Sequence, residues 1–122
     1  MLLTLALPRI NEHMTTAKVT KVYVAEGDAL VPGAKLVDLR VDLSAVLSHD
    51  CPPVSYYRIA MRDVARLRQL AIAPGDLLAI GAPIALFSTE AEEPMDAEPA
   101  RPVRITLAGI VPPDEWWEGN AR

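Results

Sequence analysis

The sequence predicts an all-β fold made of two similar halves, and an internal repeat is the main evidence. Residues 22–28 recur as residues 70–76, at an offset of 48 positions, and both copies end in Gly-Asp. A Gly-Asp pair supplies the positive φ and the side-chain hydrogen bonds of a tight turn. Before each turn, successive side chains alternate between two faces, as they do in a half-buried strand. The eleven prolines of the chain also favour short segments over long helices.

The match continues beyond each turn and gives the order of the elements. At the same offset, Gly33 corresponds to Gly81, Leu36 to Ile84 and Leu39 to Phe87. Each copy therefore consists of a strand, a Gly-Asp turn, a short apolar stretch, a second glycine and another strand. An open β-unit of this kind cannot bury one face alone. The two copies are expected to pack on each other as a small, pseudo-symmetric sandwich or flattened barrel.

Two further segments follow the repeat. Residues 90–102 contain five acidic residues and three prolines without an apolar period, which predicts an extended linker. Residues 103–111 have the pattern of a strand that adds to an edge of the barrel. The chain is thus divided into a domain at 1–89, an acidic, proline-rich linker at 90–102 and a C-terminal strand with a Trp-containing tail at 103–122.

Composition and charge exclude several classes of function. Hydrophobic residues make up 51% of the chain and charged residues 23%, a globular balance that excludes overall disorder. The net charge of −4 argues against nucleic acid as a partner. The apolar residues 1–7 are too short a run for a signal peptide or a membrane span. We therefore expect a cytoplasmic protein that binds neither nucleic acid nor membrane, and its single Cys51 cannot form an internal disulfide.

The segment leading into the first copy carries a further motif. Pro8 follows a leucine and precedes Met14 by six positions, and Glu-Gly-Asp at 26–28 is followed by Gly33. Together with the repeat, this pattern resembles the biotinyl/lipoyl attachment domain family over about residues 3–88. It is most similar to the lipoyl domains of 2-oxo acid dehydrogenase acyltransferases. The resemblance implies a flattened barrel-sandwich hybrid of two pseudo-symmetric halves.

The residue that carries the cofactor of that family is absent. In the family, a lysine at the tip of the turn between the halves bears lipoate or biotin through an amide. The corresponding turn here is Asp42, Leu43 and Ser44, and a leucine side chain offers no amine. All three lysines of the chain precede this turn, so we expect neither lipoate nor biotin. A carrier domain modified at an atypical lysine, for which Lys35 is the least implausible position, is one alternative.

The connection between the halves is longer than in the family, with the added residues within 45–62. A small ligand-binding or enzymatic protein that uses this long loop is a second alternative. If the segment is extended, His49 and Cys51 share a face, as a thiolate–imidazole pair or two metal ligands would. A tetrahedral metal site needs more ligands, and a polar turn that ends at the following prolines explains the same residues. We therefore predict no catalytic and no metal-binding residues.

Two groups of residues are candidates for contact with a partner. The first is Arg58, Arg62, Arg66 and Arg68, and helical spacing would place the first three on one face. A short helical turn over residues 56–61, leading into a strand from about residue 65, would reconcile that spacing with the repeat. These arginines could bind an acidic partner or a phosphate-bearing ligand. Alternatively, they face solvent or pair with the acidic residues at 90–98.

The second group is Trp116 and Trp117, near the end of the chain. Exposed tryptophans often anchor interfaces, and a tryptophan that caps the open end of the barrel is the alternative. A framework that persists without its acceptor lysine predicts a non-catalytic interaction or scaffold module. The resemblance implies partners such as subunits of a 2-oxo acid dehydrogenase or a carboxylase. Self-association through the edge strands is an equally physical outcome.

Overall fold

The computed structural model describes residues 1–42, 54–90 and 92–110, which form ten β-strands and no helix. The strands are β1 (Leu2–Ala6), β2 (Thr16–Val22), β3 (Ala29–Leu30), β4 (Lys35–Asp42), β5 (Val54–Met61), β6 (Ala65–Leu70), β7 (Leu77–Ala79), β8 (Pro83–Ser88), β9 (Arg101–Pro102) and β10 (Ile105–Ile110). The first sheet has the order β3-β6-β8-β1-β9 and the second the order β10-β5-β4-β2-β7. The predicted all-β class is confirmed. None of the described residues belongs to a helix able to cross a membrane.

The internal repeat relates the two sheets to each other. Four strands of the first sheet lie in the order β3-β6-β8-β1. Their counterparts in the other half of the repeat, four strands earlier or later in the chain, are β7, β2, β4 and β5, and these lie in the same order in the second sheet. Each sheet also carries one added edge strand, since β9 lies outside β1 in parallel and β10 lies outside β5 in the antiparallel direction. The order of the strands therefore agrees with two similar halves, and in the described residues the two sheets are not closed into a barrel. The halves are interleaved, since each contributes two strands to each sheet.

The two Gly-Asp turns are equivalent in detail. Gly27 and Gly75 have φ values of +98° and +97°, a region that glycine adopts without strain. The aspartate that follows each glycine accepts a hydrogen bond from the backbone N–H three residues earlier, at 2.9 Å in both copies. Each turn is also bonded to the opposite half, because Gly27 N donates to Leu67 O at 2.8 Å and Gly75 N donates to Val19 O at 2.7 Å. The turns therefore join the two sheets as well as reversing the chain.

The hydrophobic core lies between the sheets. Phe87 on β8 is fully buried, and Leu39 occupies the equivalent position on β4 with the same 0% exposure. The core cluster also contains Leu3, Val19, Ile59, Met61, Leu67 and Ile84. Apart from Phe87, its buried members are aliphatic or methionine side chains. Burial of these side chains is the main favourable term for the fold.

The C-terminal strand extends the second sheet at its edge. The strand predicted at 103–111 is observed as β10, which pairs antiparallel with β5 from Ile105 opposite Met61 to Ile110 opposite Tyr56. The preceding residues run along the first sheet, where Ala100 N donates to Leu2 O at 2.9 Å and Val103 N donates to Thr4 O at 2.8 Å. The end of the acidic segment is thus held against β1 by backbone hydrogen bonds.

The helical turn expected over residues 56–61 is wrong, because these residues belong to β5. This strand pairs with β4 on one side and with β10 on the other. Pairing on both sides satisfies backbone groups that a single helical turn would leave without partners. The rest of the stretch assigned to an insertion, residues 45–53, lies outside the described residues.

Asp63 holds the C-terminal strands against the turn between β5 and β6. Its carboxylate accepts two hydrogen bonds from the Arg101 guanidinium, at 2.9 Å and 3.1 Å, and one from the backbone N–H of Arg104 at 2.7 Å. The hydrogen bond from Arg101 is the main reason why the pKa of Asp63 lies below its usual value, and the Arg104 contact adds to this effect against the opposing influence of burial.

This contact predicts a difference in acid sensitivity between the wild type and Asp63→Asn. Because the pKa of Asp63 is lower in the folded chain, the ionised carboxylate stabilises the fold above its unfolded pKa, which is about 3.9. That stabilisation is lost as the pH falls through the folded pKa. Urea unfolding over a pH series should show the wild type as the more stable protein near neutrality, with the difference shrinking below about pH 4. A difference that is independent of pH would contradict the prediction.

Candidate functional site

The outer surface of the second sheet carries a concentration of positive charge. On β4, Val37, Leu39 and Val41 are buried, so that strand alternation turns Asp38 and Arg40 outward. The register sets Lys18 opposite Arg40, Lys21 opposite Asp38, and Asp38 opposite Arg58. We call this surface the basic face, and its cationic side chains are Lys18, Lys21, Lys35, Arg40 and Arg58. Lys35 precedes an irregularity in the pairing of β4, and its ammonium lies 5.6 Å from the ring of Tyr23 on this same face. All three lysines of a chain with a net charge of −4 therefore lie on one face.

A hydrogen-bonded triad occupies the centre of the basic face. Asp38 is only 6% exposed, although it belongs to the outer side of the sheet. Its carboxylate accepts hydrogen bonds from Arg58 Nε at 2.8 Å, from Arg58 Nη2 at 3.2 Å and from the Tyr23 hydroxyl at 2.6 Å. The third side of the triad is closed by Arg58 Nη2, which donates to the Tyr23 hydroxyl at 3.0 Å. The Asp38 charge is therefore satisfied within the triad.

The electrostatics of the triad favour the protonated forms of Tyr23 and Arg58. Partial burial is the main cause that raises the pKa of Tyr23, and the hydrogen bond to Asp38 raises it further, whereas Arg58 acts in the opposite direction. The hydrogen bond to Asp38 is likewise the main cause that raises the pKa of Arg58. At neutral pH the tyrosine is thus a neutral donor and the arginine a permanent cation.

Three cations surround the aromatic ring of Tyr23. The distances to the ring centroid are 4.9 Å from Lys21 Nζ, 5.6 Å from Lys35 Nζ and 5.3 Å from Arg58 Cζ. Cations within about 6 Å of an aromatic ring are attracted by its quadrupole. Within the described part of the chain, no carboxylate lies within ion-pair distance of any of the three lysines. The charges of Lys21 and Lys35 are therefore oriented by the ring, and none of the three lysines has an acidic partner among these residues.

The four arginines singled out from the sequence do not form one cluster. Arg58 lies in the triad, whereas Arg66 is on the first sheet and donates to Gly27 O at 2.7 Å. Arg68, on the same strand, donates to Ser88 Oγ at 3.2 Å and to the backbone carbonyl of Glu93 at 2.9 Å. Because β5 and β6 belong to different sheets, the helical face expected for Arg58, Arg62 and Arg66 does not exist.

The acidic segment at residues 90–102 contacts Arg68 through the backbone carbonyl of Glu93 and not through a carboxylate. The Glu93 carboxylate instead pairs with the amino group of Met1. Arg62 is exposed just after β5, where its backbone N–H donates to Arg104 O at 3.0 Å. Among the described residues, these four arginines form no ion pair with the acidic side chains at 90–98.

The remaining predicted positions lie at or beyond the limits of the described chain. Asp42 is the last residue of β4 and pairs with Val54 at the start of β5. The other predicted positions outside the described residues are Leu43, Ser44, His49, Cys51, Trp116 and Trp117. Lys35 begins β4, at the opposite end of the strand from Asp42. Within the described chain, no group of three or more His, Cys, Asp or Glu side chains could hold a metal ion.

Of the cations of the basic face, sequence reasoning identified Arg58 and, as an atypical attachment position, Lys35. It missed Lys18, Lys21 and Arg40. The only local signal was the charge of Asp38 between the apolar residues Val37 and Leu39, because a charge that becomes buried needs a partner. The partner itself depends on the register between β4 and β5, which no local pattern gives.

Comparison with protein-family models finds no match for this chain. A comparison with curated proteins likewise finds none.

Proposed function

We propose that the chain is a lipoyl-like domain without an acceptor lysine that acts as a non-catalytic interaction module. The observation that supports this most strongly is the pseudo-two-fold relation between two four-stranded sets, together with the positions of the lysines. This relation is what a barrel-sandwich hybrid of two halves requires. Lys18 and Lys21 lie on β2 and Lys35 on β4, so no lysine belongs to the β4–β5 connection, where such a domain presents its cofactor.

A carrier domain needs its amine at an exposed tip far from the scaffold. Residues 43–53 join the paired ends of β4 and β5, and their sequence contains no lysine. Lys35 is seven residues from Asp42 along an extended strand, a distance of about 23 Å. Its ammonium also lies 5.6 Å from the Tyr23 ring. Modification at Lys35 is therefore the weaker candidate, and we propose that the domain carries neither lipoate nor biotin.

The partner that we propose is a protein, either another subunit or a second copy of this chain. The family resemblance suggests subunits of a 2-oxo acid dehydrogenase or a carboxylase, in the cytoplasm and without nucleic acid or membrane. Self-association is favoured by β10, an edge strand that contains neither charge nor proline, the usual protection of an edge. In the described chain its outer edge has no strand neighbour, and Leu107 is 39% exposed. Two copies of β10 could pair antiparallel across a two-fold axis.

A gentle affinity purification from the native host tests the proposal, with the intact mass of the bait measured in the same eluate. We expect an unmodified bait that brings down a stoichiometric protein partner, or an unmodified bait that elutes as an oligomer of itself. A mass increase equal to a lipoyl or biotinyl group would overturn the proposal. A Lys35→Arg bait is the matched control, since it keeps the charge and removes the amine. An unmodified bait that is monomeric and alone would contradict the interaction role.

A further inference from the structure

We infer that the basic face of the second sheet binds an extended, carboxylate-rich segment of a partner protein. This inference rests on the proposed function, because it names the chemistry of the partner and the surface that contacts it. The ligand class is an acidic polypeptide. The groups that contact it are the ammonium groups of Lys21 and Lys35 beside the ring of Tyr23, and that of Lys18 on the same strand as Lys21.

The three lysines carry charge that is not neutralised within the described chain. Asp38, the acid closest to them in register, is already bonded to Arg58 and Tyr23. The other acid at this face, Asp42, lies 3.6 Å from Arg40. The lysines are also restrained, since two of them lie within 6 Å of the Tyr23 ring. Restrained cations lose less conformational entropy on binding than freely moving ones do.

The positions of the three lysines on neighbouring strands suit an extended ligand. Lys18 and Lys21 project from β2 and Lys35 from β4, two strands that are neighbours in the sheet. Adjacent strands are about 4.8 Å apart, and alternate residues of an extended chain are about 6.6 Å apart. The ammonium groups of Lys21 and Lys35 lie 4.9 Å and 5.6 Å from the same ring centroid. They are therefore close enough together for successive acidic side chains of one extended segment to reach both.

The side chains of the basic face favour carboxylates over phosphates and nucleic acid as the ligand. Bidentate recognition of phosphate uses free guanidinium forks, but Arg58 is bonded to Asp38 and Arg40 lies beside Asp42. Binding of single-stranded nucleic acid uses open aromatic faces for base stacking, whereas the Tyr23 ring already has three cations around it. What remains available is a set of lysine point charges, which suits an acidic polypeptide.

Fluorescence anisotropy with a labelled ten-residue poly-glutamate peptide and the full chain tests the inference. We expect binding at low ionic strength that weakens as salt is added. The double variant Lys21→Gln/Lys35→Gln should raise the Kd about tenfold. The control is Arg9→Gln/Arg66→Gln, which removes the same charge from outside the basic face and should leave the Kd almost unchanged. Unfolding curves of both variants confirm that each is folded.

Three results of the peptide assay would overturn the inference. The first is no binding of the peptide to the wild type. The second is an equal loss in the two double variants, which would mean that net charge alone matters. The third is tighter, lysine-dependent binding of a ten-nucleotide oligothymidylate, which would assign the face to nucleic acid. If the native partner still co-purifies with Lys21→Gln/Lys35→Gln, the interaction module stands and its surface lies elsewhere.

Discussion

Replacement of Arg58 by methionine is expected to lower the free energy of unfolding by about 3 kcal/mol. The substitution keeps much of the side-chain volume but removes the guanidinium that donates to both carboxylate oxygens of Asp38. Asp38, at 6% exposure, would keep only the Tyr23 hydroxyl as a side-chain partner. A buried carboxylate without its cation is one of the most costly defects that a single substitution can create. Urea unfolding at neutral pH measures the loss directly.

Two controls make this expectation specific to the triad. Arg40→Met removes a cation from the same face, but the Arg40–Asp42 pair is exposed and should contribute less than about 1 kcal/mol. The double variant Asp38→Leu/Arg58→Met removes both charges and should recover most of the stability lost in Arg58→Met. If Arg58→Met costs no more than Arg40→Met, the buried charge of Asp38 does not depend on Arg58.

Replacement of Phe87 by alanine is expected to cost about 3–5 kcal/mol, the largest loss for any single side chain in the core. Phe87 is fully buried between the sheets, so its removal leaves a cavity that the surrounding strands can fill only in part. Because a domain of this size is marginally stable, Phe87→Ala could be unfolded at room temperature. The milder Phe87→Leu keeps the measurement possible, with an expected loss of about 1–2 kcal/mol in urea unfolding.

The internal repeat provides the matched comparison for this position. Leu39 is the equivalent residue in the other half and is equally buried, so Leu39→Ala should cost about 2–5 kcal/mol. Leu77, with 69% exposure, should tolerate alanine with a change within about 0.5 kcal/mol. A small effect at both Phe87 and Leu39 would contradict a core centred between the sheets at these positions.

Much of the fold could be predicted from the sequence, because the signals were local and repeated. The two Gly-Asp turns were identified from residue types that admit positive φ, and the paired copies pointed to two halves that pack together. The strand at 103–111 was also predicted, since its run of apolar residues is bounded by prolines. Each turn and each strand is visible within a window of about ten residues, and the repeat is found by comparing two such windows.

The segment from Tyr56 to Met61 was mispredicted because its local pattern was ambiguous, whereas the strand expected from about residue 65 is observed as β6. Arginines at every fourth position match a helix, whereas the alternation through Ile59 and Met61 matches a strand. What decides between them is non-local: β4 and β10 flank β5, and β10 lies more than forty residues further along the chain. The spacing of the arginines was coincidental, and it suggested a cluster that two different sheets divide.

The basic face could not be predicted for the same reason. Lys21, Lys35 and Arg58 are distant in sequence and meet at Tyr23 only because β2, β4 and β5 are neighbours. Charge counting gave a net negative chain and so directed attention away from a positive surface. Net charge describes the whole molecule, whereas a binding surface depends on how the charges are distributed.

The interleaving of the two halves has a consequence for how the chain folds. In the first half, β2 can pair with β4 as soon as both strands have been synthesised. The antiparallel partner of β1 is β8, which is synthesised only at the end of the repeat and places Ser88 opposite Leu2. The first half therefore cannot complete either sheet while it emerges from the ribosome. Folding dominated by such distant pairings is slow and cooperative. The chain reaches its native state as one unit, after the whole repeat has been synthesised.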